Sequence, residues 1–272
     1  EGKVCTIPEG FIAAALFAVT GETYQVVEDS CMNEEKQYCR FIISKNSKNI
    51  IKPLLLNSVE MQSLDDLDAD SNINKQAIVD AVVTLPIFGN EDGLIPMFNV
   101  YLANTPQTFY NLVCSRYLEE MTKVDRGTVA KLSLMRDAEF CAMNTFSGIL
   151  NSDEWQALIK PMVKVQSDNV FGLIAVANAL GWGRIFIREH IQGLILNLRV
   201  LNGYESFGYL ELNTGAAKEA KCFMMAGISS GVMALIYQKG NFDERLGSFH
   251  TNETSCMCRE DHHCEFQTIK NK

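Results

Sequence analysis

Cys5, Glu28, Cys31 and Cys39 are matched further along the chain by Cys222, Glu253, Cys256 and Cys264. Thiols and carboxylates in that combination do one kind of chemistry well: they hold a divalent cation. In both sets the closing pair is Cys-x7-Cys, a glutamate stands three residues before it, and a phenylalanine (Phe41, Phe266) stands two after it. In both, a glycine (Gly10, Gly227) follows the leading cysteine by five residues and opens an apolar run. The lead cysteine precedes the pair by 26 residues in the first set and by 34 in the second. The excess falls around KGNFDERLGS at 239–248, a polar stretch that reads as a loop insertion. Unrelated cysteines would not keep register with a glutamate, a glycine and a phenylalanine, so the pattern reads as an internal repeat.

Three thiolates and one carboxylate form a closed four-ligand set suited to Zn2+, up to two ions per chain. Four protein ligands leave no position for water, so the expected role is structural. Two rivals stand beside zinc. Disulfides would leave one of nine cysteines unpaired and both glutamates unexplained. An iron–sulfur cluster could use the same thiolates, with glutamate as an unusual ligand. Cys258, His262 and His263 adjoin the second set, but their counterparts Asn33, Gln37 and Tyr38 are poor zinc ligands, so they read as loop residues. Cys114 and Cys141 sit alone in apolar settings and read as buried small hydrophobes.

The elements that must position these ligands are legible around them. Each lead cysteine precedes a helix-like run, GFIAAALFAV or GISSGVMALIY. Each closing pair lies in alternating segments, TYQVVED with CRFIIS and HTNETSC with CEFQTI, which read as hairpins. A metal there would staple helix to hairpin. Helices are expected over Thr108–Thr122, Arg136–Leu150, Ser152–Met162 and Asp168–Leu180, and a hairpin from RIFIREHI and LILNLRVL around Gln192-Gly193. AIVDAVVTLPIF and LIPMFNVYLA suggest two strands around GNEDG, and NGYESFGYLEL reads as extended. Thr214 is a plausible cap for one long helix through Cys222, where Gly227 and Gly231 predict a close helix contact. The fold class is mixed α/β of the α+β kind: an antiparallel sheet with packed helices and a helix-to-hairpin staple, its C-terminal part duplicated. The expected organisation is a partial first module at 1–46, a polar and acidic linker at 47–76, and a second module at 77–268. Because Glu1 lies four residues before the first ligand, the first copy reads as the end of a module whose beginning is absent.

Composition sets the outer bounds. The chain has 272 residues, 47 % hydrophobic and 21 % charged, which fits one or two globular domains. A net charge of −9 and a pI near 5.0 argue against direct binding to nucleic acid or an anionic membrane. The longest apolar run near the start, Phe11–Val19, is nine residues and too short to span a bilayer; Pro8-Glu9 just before it speak against a signal peptide. Cysteines that bind metal point to a reducing, cytoplasmic setting. Asp66, Asp68 and Asp70 imitate a calcium loop, but Ser71 and Ala77 stand where it needs glycine and glutamate. Gly227-Ile-Ser-Ser-Gly231 matches the nucleophile-elbow pattern inside a helical run, the wrong context for it. His190 reads as a satisfied core or pocket group. No catalytic constellation emerges, and the reading leans away from an enzyme.

A helix carrying Cys and Gly followed by Glu-x-x-Cys-x7-Cys-x-Phe resembles the 4-vinyl reductase domain family, in particular the sensor domains of phenol-responsive transcriptional activators. The resemblance is strongest over 200–268, extends over about 100–268, and returns in 1–46. It implies a structural zinc on Cys222, Glu253, Cys256 and Cys264 beside an apolar small-molecule pocket. Asn202–Ser206 resembles a stretch that lends an aromatic to that pocket, which makes Tyr204 the candidate ligand contact, with Trp182, Phe171 and Phe207 as further lining. Plain core is the competing role for these aromatics. The resemblance further implies a hydrophobic or aromatic small-molecule partner and a homodimer or a partner protein that takes the signal. The alternative it carries is a tetrapyrrole-related reductase or an accessory protein of tetrapyrrole biosynthesis.

Overall fold

Glycines one helical turn apart leave a flat strip on a helix, and another backbone can approach it closely. That contact organises the larger part of this molecule. The structure is a computed structural model that describes residues 3–46, 54–63 and 67–271, in two compact units, Glu1–Leu55 and Leu56–Lys272. Among the described residues the fold is mixed helix and antiparallel sheet, of the α+β class expected.

The first unit holds α1 (Thr6–Thr20), β1 (Tyr24–Ser30) and β2 (Arg40–Lys45). Gly21 in the left-handed region (φ 71°) ends α1 by returning its N–H to Phe17 O. The two strands pair antiparallel from Tyr24↔Lys45 to Glu28↔Phe41, and the register then slips before Ser30↔Arg40. Although α1 is rich in apolar residues, none of its side chains is fully buried.

The second unit opens with α2 (Lys75–Val82), β3 (Ile95–Met97), β4 (Val100–Leu102), α3 (Gln107–Lys123), α4 (Gly127–Leu150) and α5 (Asp168–Ala179). It continues with β5 (Arg184–Ile191), β6 (Ile195–Leu201), α6 (Tyr204–Leu212), α7 (Phe223–Tyr237), the short α8 (Phe242–Arg245), β7 (Phe249–Ser255) and β8 (Cys264–Lys270). β5 to β8 form one antiparallel sheet in the order β5-β6-β8-β7. Its inner face alternates as period two requires, with Leu196, Leu198 and Val200 on β6 and Cys264, Phe266 and Thr268 on β8 all buried. α7 packs between this sheet and α4. A Cβ on Gly227 would lie 2.4 Å from both Met135 O and the Ala138 Cβ, and one on Gly231 would lie 2.8 Å from Glu139 O. The close helix contact read from the two glycines is therefore present, and its partner is α4.

The described part of the stretch at 54–76 is tied to this unit. Asn57 donates from its backbone to Glu211 O and from its side chain to Leu210 O and Asn213 O. Asp68 accepts Ile187 N at 2.7 Å and pairs with Lys75. Asp66, the first member of the imitation calcium loop, lies outside the described residues.

Three local expectations are corrected. The run from Ala77 is helical, since Asn74 caps it by accepting Ala77 N and Ile78 and Val82 bury one side of a single turn; the strands after it are only β3 and β4. NGYESFGYLEL is not extended but forms α6, because Glu205, Ser206 and Gly208 are the residues it buries. The expected long helix from Thr214 starts only at Phe223: Gly215 is left-handed (φ 91°) and Ala217 donates to Cys258 O, so the chain arrives by a loop that turns at Cys222.

Substitution at the two equivalent glycines should separate these environments. Gly227→Ala forces α4 and α7 apart and should lower unfolding free energy by about 1–3 kcal/mol. Gly10→Ala, where an added Cβ meets nothing within 4 Å, should raise it by up to about 1 kcal/mol. Chemical denaturation of both variants checks the opposite signs.

Candidate functional site

Each lead cysteine is the residue before the first turn of a helix, Cys5 for α1 and Cys222 for α7. Each closing pair spans a hairpin that carries one 3-10 turn, Met32–Glu34 or Met257–Arg259. A left-handed glutamate ends both turns, Glu35 (φ 58°) and Glu260 (φ 70°). The register of each hairpin slips just after the key glutamate, between Glu28 and Ser30 and between Glu253 and Ser255. Such a bulge re-aims side chains. The outcome is the same in both places: Cys5, Glu28, Cys31 and Cys39 form one group, Cys222, Glu253, Cys256 and Cys264 another, with ligand atoms within 4.8 Å of one another.

The details coincide as well. Glu28 Oε2 accepts Cys5 N at 3.0 Å, and Glu253 Oε2 accepts Cys222 N at 3.1 Å. Met32 N points at Cys39 Sγ at 3.5 Å, and Met257 N at Cys264 Sγ at 3.4 Å. Such N–H donors stabilise sulfur that carries negative charge.

The donor set fits a cation. Cys5 Sγ lies 4.0 Å from Cys31 Sγ and 3.6 Å from Cys39 Sγ, and Cys222 Sγ lies 4.0 and 3.8 Å from Cys256 and Cys264. Tetrahedral bonds of about 2.3 Å to one ion would set sulfurs about 3.8 Å apart. A disulfide needs about 2.05 Å, and all nine cysteines are free thiols. Glu28 Oε1 and Glu253 Oε1 are buried without a hydrogen-bond partner. Each carboxylate thus keeps one buried oxygen without a partner in a group with three thiols, which suits the set to a cation.

Surroundings differ where the geometry agrees. In the first unit Cys5 and Cys39 are half-exposed, and the thiol of Cys5 draws Glu28 down to about 2. In the second unit all three cysteines are buried, and burial together with the Cys256 thiolate pushes Glu253 up to about 9. The thiols of Cys222, Cys258 and Cys264 hydrogen-bond to Cys256 and hold it far below the ordinary thiol range. Cys258 lies in the turn between the two strands, as a loop residue would, and is wholly buried against the cluster, while its counterpart Asn33 is exposed. His262 is exposed and His263 pairs with Glu265. Cys141 is exposed on α4 and Cys114 is half-buried, so neither is the buried hydrophobe expected.

Against the second cluster lies a cavity of only about 10 Å3, about the room one water needs, whose walls include Trp182, Tyr204, Cys222, Met225, Cys264 and Phe266. Trp182 and Tyr204 are therefore brought together, next to two of the four cluster residues. Phe207 and Phe171 are not among the walls: Phe171 packs edge-on against His190 at 5.9 Å. His190 is satisfied by the Tyr237 hydroxyl at 3.2 Å, and burial lowers its proton affinity. Ser229 donates to Met225 O inside α7, so the elbow-like motif has no elbow.

Sequence reasoning missed Glu205. Its carboxylate is buried at the start of α7, where Oε1 accepts Met224 N and Oε2 accepts Met225 N, both at 2.8 Å. The Tyr110 hydroxyl also donates to Oε1, at 3.2 Å, and the ring of Tyr110 meets Tyr204 edge-on at 5.3 Å. Glu205 thus caps, from another helix, the turn that carries Cys222. Burial pushes it up to about 7 against the pull of the two N–H groups. An acidic residue inside an otherwise apolar run, directly after Tyr204, was the available signal.

No family model and no curated protein matches the sequence. Solved structures do match the fold. The phenol-responsive sensory domain of the transcription activator PoxR, solved with phenol, is similar at 11 % identity and a TM-score of 0.56, covering 72 % of this chain and 90 % of that one. A vinyl-4-reductase family protein from Methanocaldococcus jannaschii matches at 12 % identity and a TM-score of 0.38, covering 73 % and 92 %. Trafficking protein particle complex subunit 3 from Naegleria fowleri, covalently bound to palmitic acid, matches at 8 % identity and a TM-score of 0.43, covering 61 % and 95 %. The chain shares its fold with that phenol-responsive sensory domain, in line with the resemblance its motifs carry.

Because Glu205 is held above its ordinary value, folding takes up a proton there. The stability it contributes is present in full below about pH 4.5 and is lost as pH rises through about 7. Relative to Glu205→Gln, wild-type unfolding free energy should fall by about 3 kcal/mol between pH 5 and pH 8. Parallel denaturation of the two proteins at both pH values tests this; a constant difference contradicts it.

Proposed function

We propose that this chain is a sensor-like module that binds a small hydrophobic or aromatic molecule in the cavity beside Cys222 and Cys264. Structural Zn2+ holds the cavity wall, and each unit carries one ion. The observation that carries the reading is the adjacency: Trp182 and Tyr204 share a cavity with two members of a three-sulfur, one-carboxylate cluster. The fold shared with a phenol-responsive sensory domain supports the same ligand class. The cavity is only about 10 Å3 as it stands, far below the roughly 300–1,000 Å3 of drug-sized sites, so a single ring enters by moving its walls apart.

The residues take simple roles in this reading. Cys5, Glu28, Cys31 and Cys39 hold one ion, and Cys222, Glu253, Cys256 and Cys264 hold the other. Zinc, when bound, neutralises the clustered thiolates and fixes the helix start to its hairpin. Tyr204 and Trp182 face the ligand, and Glu205 holds the start of α7 in place. The setting is reducing and cytoplasmic, and the bound state is passed on through a second copy or a partner protein.

Native mass spectrometry should find two zinc ions per chain. Exhaustive chelation should lower the melting temperature by more than 10 °C, on the order of what losing several kcal/mol produces. An unchanged melting temperature after verified metal removal contradicts a structural ion. Phenol or a related single-ring compound should perturb Trp182 fluorescence saturably. Tyr204→Ala should weaken that binding by about tenfold or more, the equivalent of 1.4 kcal/mol. Absence of saturable binding by any single-ring compound would sink the ligand assignment.

A further inference from the structure

The two clusters differ in one side chain that could bind metal. In the first unit the position two residues after the first cysteine of the closing pair is Asn33, which is exposed. In the second unit it is Cys258, 0 % exposed. Its backbone is fixed on both sides: Cys258 O accepts Ala217 N at 2.6 Å, and Cys256 O accepts Arg259 N at 2.8 Å. Its sulfur, by contrast, has only a weak neighbour among hydrogen-bond acceptors outside the cluster, Ser206 O at 4.0 Å. It interacts with the thiols of Cys222 and Cys256, two of the ligands assigned above. It lies outside the group of four whose atoms are mutually within 4.8 Å, so it flanks the Cys222–Cys256 edge of the cluster and is not a fifth member of it.

We propose that Cys258 is a reserve fourth thiol of the second centre, able to replace Glu253 on the ion, so that this centre keeps its metal with or without the carboxylate while the first centre does not. The inference rests on the metal reading of the two clusters. Two arguments support it. A thiolate is a better ligand than a carboxylate for zinc and softer ions, and the one oxygen donor among three sulfurs is the bond such an exchange replaces. A cysteine side chain moves by rotation about a single bond, so a Cys258 sulfur already in contact with Cys222 and Cys256 can be re-aimed at the ion they would share. Exchange leaves four thiolates on the ion and transfers the Cys258 proton to the released Glu253 carboxylate, so charge is conserved within the site.

The test compares isosteric variants of the full chain, loaded with zinc or with Co2+. Zinc content of wild type should be two per chain, of Glu28→Gln one, of Glu253→Gln two, and of the double variant Glu253→Gln/Cys258→Ala one. Thiolate-to-Co2+ charge-transfer absorption from the second centre should rise by about one third in Glu253→Gln, as four thiolates replace three. No zinc in wild type would overturn the metal reading itself. Two ions in wild type but one in Glu253→Gln would overturn only the reserve-ligand proposal, as would two ions in Glu28→Gln. A second measurement does not depend on the glutamate variants folding. Wild type should release its two ions to a chelator in a fast and a slow phase, and Cys258→Ala should accelerate the slow phase about tenfold. A slow phase indifferent to Cys258→Ala overturns the proposal.

Discussion

Three sulfurs and a carboxylate within 4.8 Å of one another are an arrangement that could hold a cation and that gains by one. Without one, every proton removed from a thiol adds repulsion, and the glutamate has an oxygen with nothing to accept from. Other features of the unit beginning at Leu56 prepare that arrangement. Glu205 caps the first turn of α7 and so sets where Cys222 stands. Gly227 and Gly231 let α4 close on the same helix, which fixes its direction. The bulge after Glu253 and the turn after Cys256 aim the hairpin's ligands back at it. Each device is local, and each is spent on bringing one helix start to one hairpin.

The same local geometry sits in two different settings. In the second unit the cluster is sealed by a sheet and by helices on α7, and its three cysteines are at most 4 % exposed. In the first unit α1 buries no side chain fully, and the cluster is half-open. A small unit with little buried apolar surface depends more heavily on a staple than a large one does. An ion in each cluster would therefore contribute unequally: the first would supply a large part of its unit's cohesion, while the second would add to a core that already stands. Glu28 and Glu253 titrate in opposite directions although Glu28 is only 2 % exposed: hydrogen bonding from the Cys5 thiol outweighs its burial, while burial and the Cys256 thiolate dominate at Glu253.

The clusters were legible in the sequence because their determinants are local. Cysteine spacing, the glutamate three residues earlier and the phenylalanine two later all lie within one hairpin, and a hairpin's register fixes its side chains. What was misread depended on distant partners. NGYESFGYLEL alternates well enough for a strand, and only burial of Glu205 against the start of α7 makes it a helix. The start of α7 is set by the loop from Gly215 and by the capping carboxylate, neither of which is visible in helix propensity. Cys258 was set aside because its counterpart is Asn33. Comparing two copies finds what they share and is blind to what one of them has added.

Trp182 and Tyr204 share a cavity wall while Phe171 and Phe207 do not line it, and this has a physical reason. Trp182 follows α5 and Tyr204 begins α6, and Tyr204 N donates to Trp182 O at 3.3 Å, so the two are held by backbone as well as by packing. Phe171 faces His190, away from that junction. The cavity walls thus combine a backbone-locked aromatic pair with two sulfurs of the metal cluster. At about 10 Å3 such a cavity admits a ring only by parting its walls, and that movement bears on Cys222 and Cys264. Whatever fixes Cys222 and Cys264, whether the ion, the Glu205 cap or the α4 contact, fixes the cavity too. An ion in the cluster and a ring in the cavity would then act on one element, and linkage would couple their affinities.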